Sequence, residues 1–191
     1  AKAGVANTTG RFNTFVGEVT GDANTTGIRN SAFGQQAFTS NTTGDYNTAV
    51  GRSALFNNTT ADENTAVGYE ALNANTTGHS NTVVGAYAAD ALTVGTLNTA
   101  VGINALGSDT KGSRAVAIGR LALGSQNFTS ATDNYNVAMG YAAGGAVTTG
   151  TRNTFIGGLA GDATDDGTEN VAVGYLALSA NCGDHNVAIG Q

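Results

Sequence analysis

The chain contains no proline, no tryptophan and one cysteine, and only 12% of its 191 residues are charged. Each shortage excludes something. The lone Cys182 builds neither an intrachain disulfide nor a thiolate zinc cluster within one chain, and a small buried residue is its default reading. Eight Lys and Arg against fourteen Asp and Glu leave a net charge of -6. That leaves no basic stripe for phosphates and no aromatic-basic interleaving, so nucleic acid is excluded as a partner. No run approaches the roughly 18 apolar residues of a bilayer span, so this segment does not insert in a membrane. The opening "AKAGVANTTG" lacks the apolar stretch of a signal peptide, and an export signal is expected outside these residues. Aromatic residues are 7%, and the 40% apolar content is mostly Ala and Val. Any core is therefore thin and needs many stacked layers or partner chains.

What is present is a repeat. The pattern Asn-x-x-apolar-Gly starts at Asn13, Asn30, Asn47, Asn64, Asn81, Asn98, Ala115 (where Ala replaces Asn), Asn136, Asn153, Asn170 and Asn186. The steps are 17 six times, then 21, 17, 17 and 16. Eleven copies at so constant a period specify a single solenoid domain over residues 1–191. The closing glycine occurs in every copy, from Gly17 to Gly190, which suits positive φ or close backbone packing. Before it stands a large apolar residue in every copy, such as Val16, Phe33, Val67, Val101, Met139 and Ile189. One position earlier the residue is Ala, except at Phe15, Val83 and Phe155.

Short apolar bursts rich in Val and Thr do not sustain a helical period, and two adjacent columns without polar residues predict a short strand buried on both sides. A second burst follows the glycine, as in Ala54-Leu55, Ala71-Leu72 and Ala105-Leu106. The expected fold is thus all-β: a parallel β-solenoid of about eleven 17-residue coils with two short strands each, rising roughly 4.8 Å per coil. "NTTG", as at 24–27 and 41–44, is expected to form the corner, with Asn and Gly in left-handed conformations. The large apolar column and the Ala column cannot both face the inside of one flattened coil, so one should face another chain, most simply in a homotrimer. The first coil begins half-way and the last ends at Gly190-Gln191 without a polar cap, so a segment of a longer fibre is expected.

The stretches "NTAVGYEALNANTTG", "SRAVAIGRLALGS" and "NVAIG" resemble the head repeats of trimeric autotransporter adhesins, with their Asn-Ser-Val-Ala-Ile-Gly core motif. They are similar also to the repeats of bacterial and phage tail-fibre domain proteins. The period departs from the adhesin head, whose repeats run shorter, the extra length here falling in the NTTG corner. The resemblance implies a left-handed parallel β-roll and an extracellular homotrimeric stalk or head on a bacterial surface or virion tail, with a host receptor or glycan as partner.

Candidate sites follow from the columns. The ten motif Asn residues are expected to stack as a structural hydrogen-bonded ladder. The 21-residue step holds four extra residues, read as a surface loop at 125–135 in which Phe128 and Tyr135 are candidate receptor contacts. As a surface bulge, residues 126–129 are expected to be removable without harm to folding. Thr8, Thr25, Thr42 and their successors suggest ice binding, but an ice face needs two outward ranks of Thr, and the neighbouring Thr9, Thr26 and Thr43 should face the other way. Asp162, Asp165, Asp166 and Glu169 form an acidic corner able in principle to hold Ca²⁺, but they lack EF-hand spacing. His79 and His185 have no Ser or Cys at partner spacing, and the chain lacks the six-residue apolar period of hexapeptide acyltransferases. The Asn-x-Thr sequons follow from the corner sequence. The reading is a non-enzymatic extracellular fibre segment without cofactor or metal, acting as a rigid stalk or head in adhesion or receptor binding. A self-assembling structural filament and an ice-binding solenoid are the alternatives.

Overall fold

Each motif copy forms a strand of three residues, too short to extend because its neighbours on both sides leave the β region. The residue before the motif Asn is left-handed, as at Arg29 (φ 56), Tyr46 (φ 58) and Glu63 (φ 59), and the closing glycine has positive φ. At Gly85 (φ +138) a Cβ would lie 2.6 Å from the carbonyl oxygen of Gly102, so only glycine lets successive coils stack here. The computed structural model describes residues 2–191. Its strands are β1 (Thr14–Val16), β2 (Ser31–Phe33), β3 (Thr48–Val50), β4 (Thr65–Val67), β5 (Thr82–Val84), β6 (Thr99–Val101), β7 (Gly112–Ser113), β8 (Val116–Ile118), β9 (Thr132–Asp133), β10 (Val137–Met139), β11 (Thr154–Ile156), β12 (Val171–Val173) and β13 (Val187–Ile189). All but β7 and β9 form one eleven-stranded parallel sheet in chain order, and no described residue is helical. Register is exact along the stack: Ala49 faces Ala66, and Val50 faces Val67. This is a parallel β-solenoid of about ten coils, each of about 17 residues.

The expected second strand does not form. After the glycine every second residue is left-handed, with Ser53 (φ 55) and Leu55 (φ 52) in one coil and Glu70 (φ 53) and Leu72 (φ 51) in the next. Coil-to-coil hydrogen bonds persist through this segment without β geometry. The Ser53 N–H donates to the Gln35 carbonyl in the preceding coil (3.0 Å), and the Leu55 N–H donates to the Ala71 carbonyl in the following one (3.0 Å). Left-handed conformations cost on the order of 1 kcal/mol each, and the stacked neighbours hold them in place. The NTTG corner also departs from expectation, since its Asn and Gly are not left-handed. Gly27 packs closely there, an added Cβ meeting the Gly44 carbonyl oxygen at 2.5 Å, although Ala61 occupies the same column two coils on.

The core is a narrow stack in which volumes compensate, each Ala/Leu coil burying its strand-centre residue with two turn residues, as Ala49 with Ala54 and Leu55. Strand-centre Ala49, Ala66 and Ala100 are fully buried opposite Leu55, Leu72 and Leu106 of the turn segment. Where the centre is Val83, the turn residue is Ala89. Where it is Phe, two glycines make room: Cβ atoms at Gly4 and Gly21 would meet the Phe15 ring at 2.9 and 2.6 Å, and one at Gly144 would meet Phe155 at 2.8 Å. Gly161 is likewise closed against Phe155. The sum of the layers, rather than any one residue, fills the roll.

Replacing Phe155 with Ala should therefore cost about 3–5 kcal/mol through an unfilled cavity. Adding Gly144→Leu and Gly161→Leu, which reproduces the Ala/Leu layers of the third and fourth coils, should recover most of that loss in urea unfolding. A triple variant no more stable than Phe155→Ala would refute the compensation.

Candidate functional site

The residues that carry possible function are arranged in columns. The motif Asn column lies inside. Asn30, Asn47, Asn64, Asn81, Asn98, Asn136, Asn153 and Asn170 are buried, and the terminal Asn13 and Asn186 are half-buried. Each Oδ1 accepts the backbone N–H of the next coil's motif residue, as from Asn47 to Asn30 (2.9 Å) and from Asn64 to Asn47 (3.0 Å). From Asn13 to Asn153 each Nδ2 donates to a corner carbonyl 14 residues on, as from Asn30 to Gly44 (2.8 Å) and from Asn64 to Gly78 (2.8 Å), whereas the buried Asn170 Nδ2 has no partner. The amide thus satisfies one donor and one acceptor that the corner would otherwise bury unpaired.

A second amide ladder, in the column expected only to turn the corner, runs beside it. Asn24, Asn41, Asn58 and Asn75 are fully buried, and each Nδ2 donates to the Oδ1 one coil earlier at 2.7 to 3.0 Å. The signal was there: Asn at one column with the same period, followed three residues later by a carbonyl within reach. This ladder ends at Leu92, which leaves Asn75 Oδ1 without a partner.

The 21-residue step repairs the first ladder. Ala115 has no amide to offer the next coil, and there Asn134 Oδ1 accepts the Asn136 N–H instead (2.9 Å). Gln126 Oε1 accepts from Asn136 Nδ2 (2.8 Å), while Gln126 Nε2 donates to Asp109 Oδ2 (2.7 Å). The fully buried Asp109 also accepts the N–H groups of Gly112 (3.0 Å) and Phe128 (3.1 Å). Residues 125–135 are therefore only partly a surface loop, and β9 within them pairs with β7. Phe128, expected as an exposed contact, is 6% exposed and folds onto the roll. Tyr135 is 52% exposed, with the Arg114 guanidinium 5.8 Å from its ring centre. Residues 126–129 are not the removable bulge the sequence suggested.

The large apolar column faces outward. Val16 is 54% exposed, Val50, Val84, Met139 and Ile156 are exposed to lesser degrees, and Val67, Val101 and Ile118 are half-buried. The strand expected to be buried on both sides is buried within this chain on its Ala face alone. Two rims flank it. Before the motif Asn, Arg29 lies between the Phe12 and Tyr46 rings at 5.4 and 5.3 Å and donates to the Tyr46 hydroxyl (2.7 Å). After the glycine, Arg52 lies over Tyr69 (5.5 Å), and Gln35 links it to Glu18. Glu70 beside it, foremost by hydrogen bonding, pushes the Tyr69 phenol above its ordinary range.

The remaining candidates are separated. Thr25, Thr42 and Thr59 donate their hydroxyls to the next coil's backbone, as from Thr25 to the Thr42 carbonyl (2.9 Å), while Thr26, Thr43 and Thr60 are exposed. Two outward ranks around one inward residue occur only on the strand face, where the second rank is apolar instead of Thr. In the acidic corner Asp165 accepts from the Thr148 hydroxyl, and Glu169 pairs with Arg152 (3.4 Å) and His185 (3.0 Å). Among the described residues no three His, Cys, Asp or Glu side chains converge on a possible metal position. His79 is exposed beside Ser80, and half-buried Cys182 has its Sγ 3.4 Å from the Thr164 hydroxyl.

Gln126→Leu should cost about 2–5 kcal/mol, because it strips a partner from the buried Asp109 carboxylate and from the Asn136 amide. Deleting 126–129 should cost at least as much. A deletion variant that melts like the wild type in a thermal scan would return these residues to the status of a bulge. Compared with protein-family models, curated proteins and solved structures, the chain has no match.

Proposed function

We propose that this chain is a segment of a homotrimeric, non-enzymatic extracellular fibre, a rigid stalk or head that serves adhesion or receptor binding. The observation that carries the reading is the unbroken outward file of eleven apolar residues from Val16 to Ile189, one per coil. At about 4.8 Å per coil it extends roughly 48 Å along the roll. Water-exposed apolar strips of that extent are uncommon on monomers and mark association surfaces. The Arg and Tyr rims give it the anatomy of an interface, apolar along the centre with aromatic and Arg residues beside it.

Three-fold cyclic packing sets three identical files around one axis and leaves the corners outside for a receptor. Left-handed winding and a bacterial-surface or virion-tail location belong to the same reading and rest on the motif's likeness to adhesin heads and tail fibres. A self-assembling structural filament would use the same seam. Ice binding would need that seam free, with the Thr48, Thr65 and Thr82 rank facing water together with it.

Val67→Asp and Val101→Asp separate assembly from folding, because both side chains point away from the roll interior. The wild type should have a native mass three times 19.0 kDa that persists in high salt. Each variant should remain folded by circular dichroism but run as a monomer, since a charge enters a dry seam without a partner. A monomeric wild type would contradict the trimer and favour ice binding, and a trimeric Val67→Asp would move the seam to another face.

A further inference from the structure

The side chains on the two rims of the outward apolar file never meet within one chain. One rim is the residue before the motif position, and the other is the residue after the closing glycine, six residues further on in every coil. Among the described residues no side chain of one rim bonds to, pairs with or stacks on the other. Arg29 donates to Tyr46 on its own rim (2.7 Å) and Arg52 to Tyr69 on its own (2.9 Å). Glu18 accepts from Gln35 (2.9 Å) and Glu63 from the Ser80 hydroxyl (3.0 Å). All four charged side chains are exposed, and among the described residues none has a partner of opposite sign. In the sixth coil both rims are large and apolar, with Leu97 43% and Ile103 50% exposed.

Copies related by rotation about an axis parallel to the roll stand at one height, and each turns one rim toward the opposite rim of its neighbour. A coil climbs about 4.8 Å in its 17 residues, so the rim after the glycine stands roughly 1.7 Å above the rim before the motif in the same coil. On the neighbour it therefore falls between the first rim of the same coil and that of the next. At those levels Glu18 meets Arg29 and Arg52 meets Glu63, an acid against a guanidinium each time. Tyr141 meets Arg152, a ring against a cation. Ile103 meets Leu97, which closes the two exposed apolar rims of the sixth coil on each other. One like-charge approach results, Arg120 with Arg114, and the Asp133 carboxylate 3.0 Å from Arg114 Nε already answers it.

Other arrangements of the same face lose this match. A slip of one coil in one direction sets Arg52 against Arg29 and removes both ion pairs. A slip in the other direction sets Arg120 against Arg152 and parts Ile103 from Leu97. An antiparallel pair centred on the sixth coil sets Arg52 against Gly158 and Glu63 against Tyr135, with no opposite charge for either. Polar rims of this kind fix partner, polarity and register more than they add affinity.

We propose that the two rims are a self-recognition surface whose partner is a second copy of this chain, parallel and in register, with Glu18 pairing to Arg29 and Arg52 to Glu63 between chains. The proposal rests on the cyclic association proposed above and adds polarity and register to it. The test is sedimentation equilibrium of the full chain at low salt. Arg52→Glu and Glu63→Arg should each raise the concentration of half-assembly at least about tenfold, since every contact between neighbours becomes like-charged. The double variant Arg52→Glu/Glu63→Arg should recover most of that loss, and high salt should shrink all three differences. A second measurement needs no dissociation: in a Cys182→Ser chain, Leu97→Cys with Ile103→Cys should give covalent trimers on mild oxidation, whereas Leu97→Cys alone should give no covalent dimer. A double charge swap that assembles no better than either single one, closure of the cysteine pair within one chain, or dimers from Leu97→Cys alone would overturn the pairing, while an assembled wild type in the same experiments would leave the seam standing. A wild type that stays monomeric at every concentration would overturn both.

Discussion

The structure depends on one hydrogen bond repeated from coil to coil: a buried Asn carboxamide oxygen accepting the backbone N–H of the Asn one coil on, as in the 2.9 Å contact from Asn47 to Asn30. A left-handed residue before each motif turns that N–H into the roll, where water does not reach it. An unpaired buried N–H costs about 1–3 kcal/mol, and nearly every coil would incur the cost. The amide meets the need because it accepts on one side and donates to the corner carbonyl on the other, tying strand to corner and coil to coil in one group. Its reach is one coil. The period is held to 17 for that reason, and the single change to 21 brings substitutes with it, Asn134 for the lost acceptor of Ala115 and Gln126 to join the buried Asp109 to Asn136.

Given that stacking, the interior and exterior separate by simple alternation. A three-residue strand has one inward side chain, so the core is a narrow file in which Ala faces Leu and Phe faces a pair of glycines. The two outward positions form flat ranks, one of Thr, Ser or Val and one of Val, Phe, Ile or Met. Nothing inside the roll requires the second rank to be large and apolar. A partner face of the kind proposed would require it, with the Arg and Tyr side chains at its rims.

Much of this was legible in the residues. The constant step and the invariant glycine specify a solenoid, and the never-polar column before the glycine marks one whole rank of the strand face. What was not legible follows from local conformation. Ala54-Leu55 reads as strand by composition, but its inward Leu is reached through left-handed residues that β-propensity does not anticipate. Asn24 and Asn41 read as turn formers, whereas their amides are buried and stacked, a distinction that depends on which way the corner folds. Phe128 reads as an exposed aromatic in an insertion until the Asp109 network shows why that insertion is anchored.

The central claim, that the outward apolar file is a seam between copies of the chain, is tested most directly by a distance across it. With Cys182 replaced by Ser, a nitroxide spin label at Val101→Cys reports on the file and one at Thr43→Cys on an exposed corner. Pulsed dipolar spectroscopy should give a single short distance for position 101, near the roughly 10 Å of sheets packed face to face plus the label's reach, and a much longer one for position 43. No dipolar coupling at position 101, or a shorter distance at position 43, would contradict the account.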